Sequence, residues 1–104
     1  MPYIQIFTTT GKRAEAEKMS DMLIKRRLAG CVQVFGPITS EYRWKGKLVR
    51  SQEFLCIIKT KRSNYKKVEA AIRGSHSYTV PEILAMPVVA GNPAYLSWLA
   101  QETR

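Results

Sequence analysis

The chain has 104 residues, of which 45% are hydrophobic and 24% charged. That length bounds it to one domain, residues 1–104, and the composition stands well away from that of disordered chains. Lys and Arg number 17 against 8 Asp and Glu, a formal charge of +9, which draws anions toward the molecule without specifying its fold. Cys31 and Cys56 lie in apolar stretches outside any Cys-x-x-Cys or Cys/His cluster. A disulfide framework is therefore not expected, and each cysteine reads as a small buried hydrophobe. The longest apolar stretch, 83–90, is interrupted by Pro87 and falls far short of the roughly 20 residues of a membrane-spanning helix. The first residues lack the basic and then apolar pattern of an export leader, so a cytoplasmic location is expected.

Tyr3 to Thr8 is β-branched and aromatic and predicts a strand, broken at Thr9-Thr10-Gly11. From Arg13 to about Arg27, Ala16, Met19 and Leu23 recur at helical spacing while charges occupy the other faces, which predicts an amphipathic helix. Lys25-Arg26-Arg27 suits the negative pole of that helix, and Gly30 is its expected terminator. Cys31 to Phe35 predicts a second strand, kinked at Gly36-Pro37 and resuming from Ser40 to Trp44, with Lys45-Gly46 as the turn of a hairpin. The return arm, Lys47 to Thr60, contains Phe54-Leu-Cys-Ile-Ile, apolar at both alternating positions, so both sheet faces are expected to be buried there. Asn64 is the expected cap of a second helix with Val68 and Ile72 facing inward, running to about Arg73 and stopped by Gly74. Ile83 to Val89 predicts a fourth strand, and Gly91-Asn92-Pro93 starts a last helix from Ala94 to about Glu102.

This order predicts an α+β protein, a ferredoxin-like split βαβ antiparallel sheet with an extra C-terminal helix. Both main helices then pack on one face, while Leu55 and Ile57 carry apolar surface to the other. One short helix is a poor cover for a whole sheet face, so a partner subunit is expected to complete the burial.

Ala29-Gly-Cys-Val-Gln-Val, Ser40-Glu-Tyr-Arg-Trp-Lys-Gly-Lys-Leu and Glu53-Phe-Leu-Cys-Ile-Ile-Lys-Thr are followed by His76-Ser-Tyr-Thr-Val-Pro-Glu-Ile-Leu and Gly91-Asn-Pro-Ala-Tyr-Leu-Ser-Trp-Leu. With these motifs in this order, nearly the whole chain resembles the CutA family of divalent-cation tolerance proteins. The resemblance implies a homotrimer, similar in architecture to PII signalling proteins, in which neighbouring subunits complete each other's sheets. It also implies a non-enzymatic part in metal tolerance, with copper(II) as the metal and no required cofactor. The chain departs from the family pattern at Phe7, where some members carry a proposed cysteine ligand, and at Ser75-His76, where such members carry a His-His pair. Gly36-Pro37 stands in reverse of the expected order, and Ser77 replaces a common proline.

His76, the single histidine, reads either as one donor of a weak metal site completed by Glu82 or a neighbouring subunit, or as a plain loop histidine. Lys59, Tyr78 and Glu82 supply a cation, a hydroxyl and a carboxylate that suit an inter-subunit cleft for a small anionic metabolite or nucleotide. That is the alternative function, a PII-like sensor; the plainer reading of Lys59 and Glu82 is a structural ion pair. Tyr42 and Trp44 alternate along the hairpin arm, so their rings share one side and suit a trimer contact. Trp98 reads as a packing anchor. An RNA-binding reading fails on the third strand, which lacks the aromatic signature of RNA-binding sheets, so specific nucleic-acid binding is not expected, nor is a membrane partner. A Ser-His-Asp arrangement has only His76 and Asp21, the single aspartate, to draw on, and no Gly-rich phosphate loop is present.

Overall fold

The computed structural model describes residues 2–104. Alternation along the first strand decides what packs where: Ile4, Ile6 and Thr8 are buried while Tyr3, Gln5 and Phe7 between them remain partly open. The elements are β1 (Tyr3–Thr10), α1 (Arg13–Lys25), β2 (Cys31–Trp44), β3 (Lys47–Lys61), α2 (Tyr65–Ser75), β4 (Ile83–Pro87) and α3 (Pro93–Glu102), with a 3-10 turn at Arg62–Asn64. The sheet order is β2-β3-β1-β4 with every pair antiparallel, the split βαβ arrangement expected from the sequence.

Register separates the two faces. Val32, Ile58, Ile6 and Ala85 stand opposite one another across the four strands, and the first three join Met19 and Leu23 of α1 and Val68 and Ile72 of α2 in the core. One residue along, the next row is Gln33, Ile57, Phe7 and Leu84, on the face away from α1 and α2. Only one end of that face meets α3, where Lys59 Nζ lies 5.8 Å from the Tyr95 ring centroid and Leu99 is buried. Phe35 remains 64% exposed and Leu84 54% exposed, so the apolar face is left open within the subunit, as the two-sided pattern of β3 requires.

The hairpin projects beyond the sheet. Thr10 opposite Phe54 is the last β1–β3 pair, after which β2 and β3 continue alone to a turn at Lys45 and Gly46, with φ 51° and 80°. Two successive positive φ values match the twist of the flanking strands, and glycine takes the second without steric cost. The molecule is accordingly elongated, 45 × 26 × 22 Å. A bulge separates Phe35 from Ile38, at the kink expected from Gly36-Pro37.

Several expected boundaries are corrected. α1 ends at Lys25, not Arg27, and Arg27 itself takes φ 58°. Its N–H donates to the Ile24 carbonyl at 3.0 Å and that of Leu28 to the Leu23 carbonyl at 3.0 Å, a Schellman end in which arginine stands where glycine is usual. Gly30 is not the terminator; it makes room for α3, since a Cβ there would sit 2.5 Å from Leu99 Cδ1. Asn64 does not cap α2 with its side chain. Its Nδ2 donates instead to Thr60 Oγ1 at 3.3 Å and to the Arg104 carbonyl at 3.0 Å. Gly74 lies inside α2, which runs on to Ser75, and β4 stops at Pro87 rather than Val89. Pro93 opens α3, where Asn92 Oδ1 accepts from the Ala94 N–H at 3.0 Å.

Arg27 repays its left-handed backbone by donating from Nη2 to the Gln101 carbonyl at the end of α3, 2.7 Å away. Arg27→Gly and Arg27→Ala both remove that bond, but only alanine keeps the Cβ clash. Chemical denaturation should therefore find the glycine variant more stable than the alanine variant by about 1 kcal/mol.

Candidate functional site

Where β1 ends and the 76–82 loop crosses it, the His76 side chain is fully buried. The Tyr78 N–H donates to His76 Nδ1 at 2.9 Å, and His76 Nε2 lies 2.7 Å from the Thr9 carbonyl. Since Nδ1 accepts and a carbonyl cannot donate, the proton is assigned to Nε2. Both ring nitrogens are thus engaged, and coordination of a metal through His76 requires breaking one of these bonds. Glu15 of α1 closes the knot, with Oε2 accepting from the Ser77 N–H at 2.9 Å and Oε1 from the Ser77 hydroxyl at 3.0 Å.

The same loop carries Tyr78 to the root of the hairpin. Its hydroxyl donates to Glu53 Oε2 at 2.8 Å, and Glu53 is 5% exposed. Burial pushes the Tyr78 hydroxyl up to about 12, reinforced by the hydrogen bond to Glu53 and by the negative charge of that carboxylate. Around this pair opens a cleft of about 710 Å³, lined by Tyr42 and Trp44 from the hairpin, Glu53, and Tyr78, Val80 and Glu82 from the loop and its exit. Glu41 also reaches it and is paired with Arg50, whose Nε lies 2.9 Å from Oε1. For a chain of charge +9, the cleft is conspicuously acidic and aromatic, a lining that suits cations better than anions.

The expected trio is not assembled within the subunit. Tyr78 and Glu82 line the cleft, whereas Lys59 stands opposite Cys31 and Gln5 in the sheet, beside Tyr95. Tyr42 and Trp44 do share one side of the hairpin, 39% and 45% exposed. Cys31 lies opposite Lys59 while Cys56 lies opposite Thr8, which puts the two thiols on opposite faces, so they cannot act together on a metal. Burial, with the charge of Glu15 behind it, pushes the Cys56 thiol up to about 11, an inert group packed in the core. Trp98, 41% exposed, lies 5.5 Å from Tyr95 between ring centroids. Among the described residues no three His, Cys, Asp or Glu side chains are grouped to hold a metal ion, and no helix is long and apolar enough to cross a membrane. Sequence reasoning passed over Glu53 as a site residue, although its position was a signal, because it is a charge in alternation with apolar Leu55 and Ile57. Glu15 gave no such signal, since on the sequence it is one more charge on a helix surface.

Solved structures set the class. The chain superposes on the crystal structure of CutA from Xylella fastidiosa with a TM-score of 0.97 at 34% identity, covering 100% of both chains. Among curated proteins it is 38% identical over 98 residues to the divalent-cation tolerance protein CutA of Thermus thermophilus, spanning 94% of this chain and 95% of that one. It is 35% identical to the chloroplastic protein CutA of Arabidopsis thaliana over 100% of this chain but 57% of the longer relative. The Thermus thermophilus relative is named for tolerance of divalent cations. The model of the CutA1 divalent ion tolerance protein family matches residues 4–102, and the chain belongs to that family.

Two measurements check the site. Alkylation of the native protein should label the half-exposed Cys31 and leave Cys56 unmodified until the chain unfolds. Between pH 10.0, where tyrosine ordinarily titrates, and about 12, the folded chain keeps the Tyr78 proton that the unfolded chain has released. Its contribution is therefore fully present below pH 10 and lost as pH rises through that window. Tyr78→Phe should flatten the alkaline fall in stability and, by leaving the buried Glu53 carboxylate without its donor, lower stability near neutrality by roughly 1–3 kcal/mol.

Proposed function

We propose that the chain acts in divalent-cation tolerance as a homotrimer, its subunits meeting through the uncovered sheet face and the projecting hairpin, similar in layout to PII signalling proteins. The observation that carries this reading is the row of Phe7, Ile57 and Leu84 with Phe35 beside it, apolar and open in the single chain. A two-stranded arm bearing Tyr42 and Trp44 gains little stability alone in water, and a neighbour's sheet edge supplies what it lacks. Three copies closing around these faces satisfy both needs at once. The proposed role is non-enzymatic. Two free cysteines on opposite faces of the sheet fit a reducing compartment, which supports the cytoplasm as its place of action.

Copper(II) binding in this reading is weak and centres on the cleft carboxylates, Glu82 foremost, with neighbouring subunits completing the donor set. His76 contributes little, because coordination costs it a hydrogen bond to Thr9 or Tyr78. An anionic metabolite finds no cation among the residues that line the cleft.

Light scattering should give a mass three times that of the chain, and Phe35→Glu combined with Leu84→Glu should give the monomer. Calorimetric titration of copper(II) should show weak heats, reduced in Glu82→Ala. Tight binding abolished in His76→Ala would move the metal to the imidazole, and a wild-type monomer would overturn the assembly.

A further inference from the structure

The positive charge of the chain is unevenly spent. Lys25 pairs with Asp21 at 2.8 Å and Arg50 with Glu41, whereas Arg26, Arg62, Lys66, Lys67 and Arg104 are all exposed. Among the described residues, none of these five has an ion pair or a side-chain hydrogen bond. The fold collects them at one end of the molecule. The Arg104 N–H donates to the Arg27 carbonyl at 2.9 Å, the Asn64 amide to the Arg104 carbonyl at 3.0 Å, and the Thr60 hydroxyl to the Leu28 carbonyl at 2.6 Å. The end of α1, the start of α2 and the last residues of the chain are thereby locked together.

Acids at this end are fewer than the cations: Asp21 is held by Lys25, Glu69 keeps its charge while accepting from the Tyr65 hydroxyl at 3.1 Å, and Glu102 stands in the last turn of α3. Lys66 and Lys67 stand in the first turn of α2, which has no acidic residue and no side-chain cap. Cations at the positive pole of a helix dipole cost stability, so a local rule is broken here without a compensating structural contact.

We infer that this end is a docking surface for the phosphate backbone of nucleic acid, read without regard to sequence. The backbone carries about one charge per 1.7 Å of duplex axis, which answers five unpaired cations gathered at one end of the chain's fold. A lipid bilayer is the poorer match, because Ile24, 41% exposed, is the one large apolar side chain of α1 or α2 left open, too little to insert among acyl chains. Base stacking is poorly served here: Tyr65 is partly buried with its hydroxyl on Glu69, Tyr42 and Trp44 are on the hairpin, and Tyr95 and Trp98 are on α3, against the other face of the sheet. The helix layer lies opposite the uncovered sheet face, so the surface stays free when that face is covered.

The test is fluorescence anisotropy of a labelled mixed-sequence DNA duplex with the assembled protein across a salt series. Binding should be saturable at about 50 mM salt and weaken with a slope of log K on log salt near −4, as about five phosphate contacts demand. The Lys66→Glu, Lys67→Glu variant should lose at least about tenfold and flatten the slope by about 2. Acids in the first turn favour α2, so this variant folds. Lys12→Glu with Lys47→Glu, an identical change in net charge placed at the start of α1 and the tip of the hairpin, should change affinity by less than about threefold, being more than a Debye length from the contact. Equal loss in both variants would reduce the effect to net charge, and no saturable duplex binding would sink the proposal. Binding to phosphatidylserine vesicles without binding to the duplex would assign the surface to a membrane instead.

Discussion

A β-sheet has two faces, and this chain supplies helices for only one of them. α1 and α2 cover Ile6, Ile58 and Val32 with Met19, Leu23, Val68 and Ile72, while on the reverse side α3 reaches only the Lys59 end. Because alternate residues of a strand point to opposite faces, every apolar residue at Phe7, Ile57, Leu55 and Leu84 adds to a surface that water meets. The long hairpin carries the same imbalance outward, beyond the reach of β1. What the subunit lacks is therefore written into its pleat, and the assembly proposed above follows from that lack more than from any single contact.

The cleft depends on a quite different device. His76 ties the 76–82 loop to β1 through two opposed hydrogen bonds, and Glu15 ties the same loop to α1 through Ser77. Tyr78 is delivered to Glu53 as a consequence. The one histidine of the chain thus acts as a rigid strut for the loop that carries Tyr78 and Glu82 into the cleft. The carboxylates Glu15, Glu53 and Glu82 gather at this end of the strands, and the cations of the proposed docking surface at the other, where Tyr3 faces Lys61. An eight-residue strand separates the two by roughly 25 Å at about 3.3 Å per residue, beyond the Debye length in physiological salt.

Elements with a single dominant local signal were legible. The period of Ala16, Met19 and Leu23 marked α1, Lys45-Gly46 marked the hairpin, and the order of strands and helices marked the split βαβ sheet. Where two residues competed for one role, the sequence misled. Gly30 looked like the stop of α1, but Arg27 takes the left-handed turn because its guanidinium finds the end of α3. Asn64 looked like a cap, but its backbone is itself helical at the end of the 3-10 turn and its side chain turns to Thr60 and Arg104 as a donor through Nδ2. Tyr78 and Glu82 line one cleft within the chain while Lys59 stands toward the other end of the sheet, and no sequence spacing records which strand end a side chain occupies.

Periodicity, turn chemistry and the two-sided apolar pattern of β3 are local properties, so the residues alone determined the element order, the sheet and the need for a cover on its second face. Partners distant in the chain are another matter. The burial of His76 between Thr9 and Tyr78, the pairing of Tyr78 with Glu53 and the convergence of cations from residues 26, 62, 66, 67 and 104 each join segments separated by many residues. A side chain hydrogen-bonds to whatever the fold brings within about 3 Å, and only the tertiary structure decides what that is.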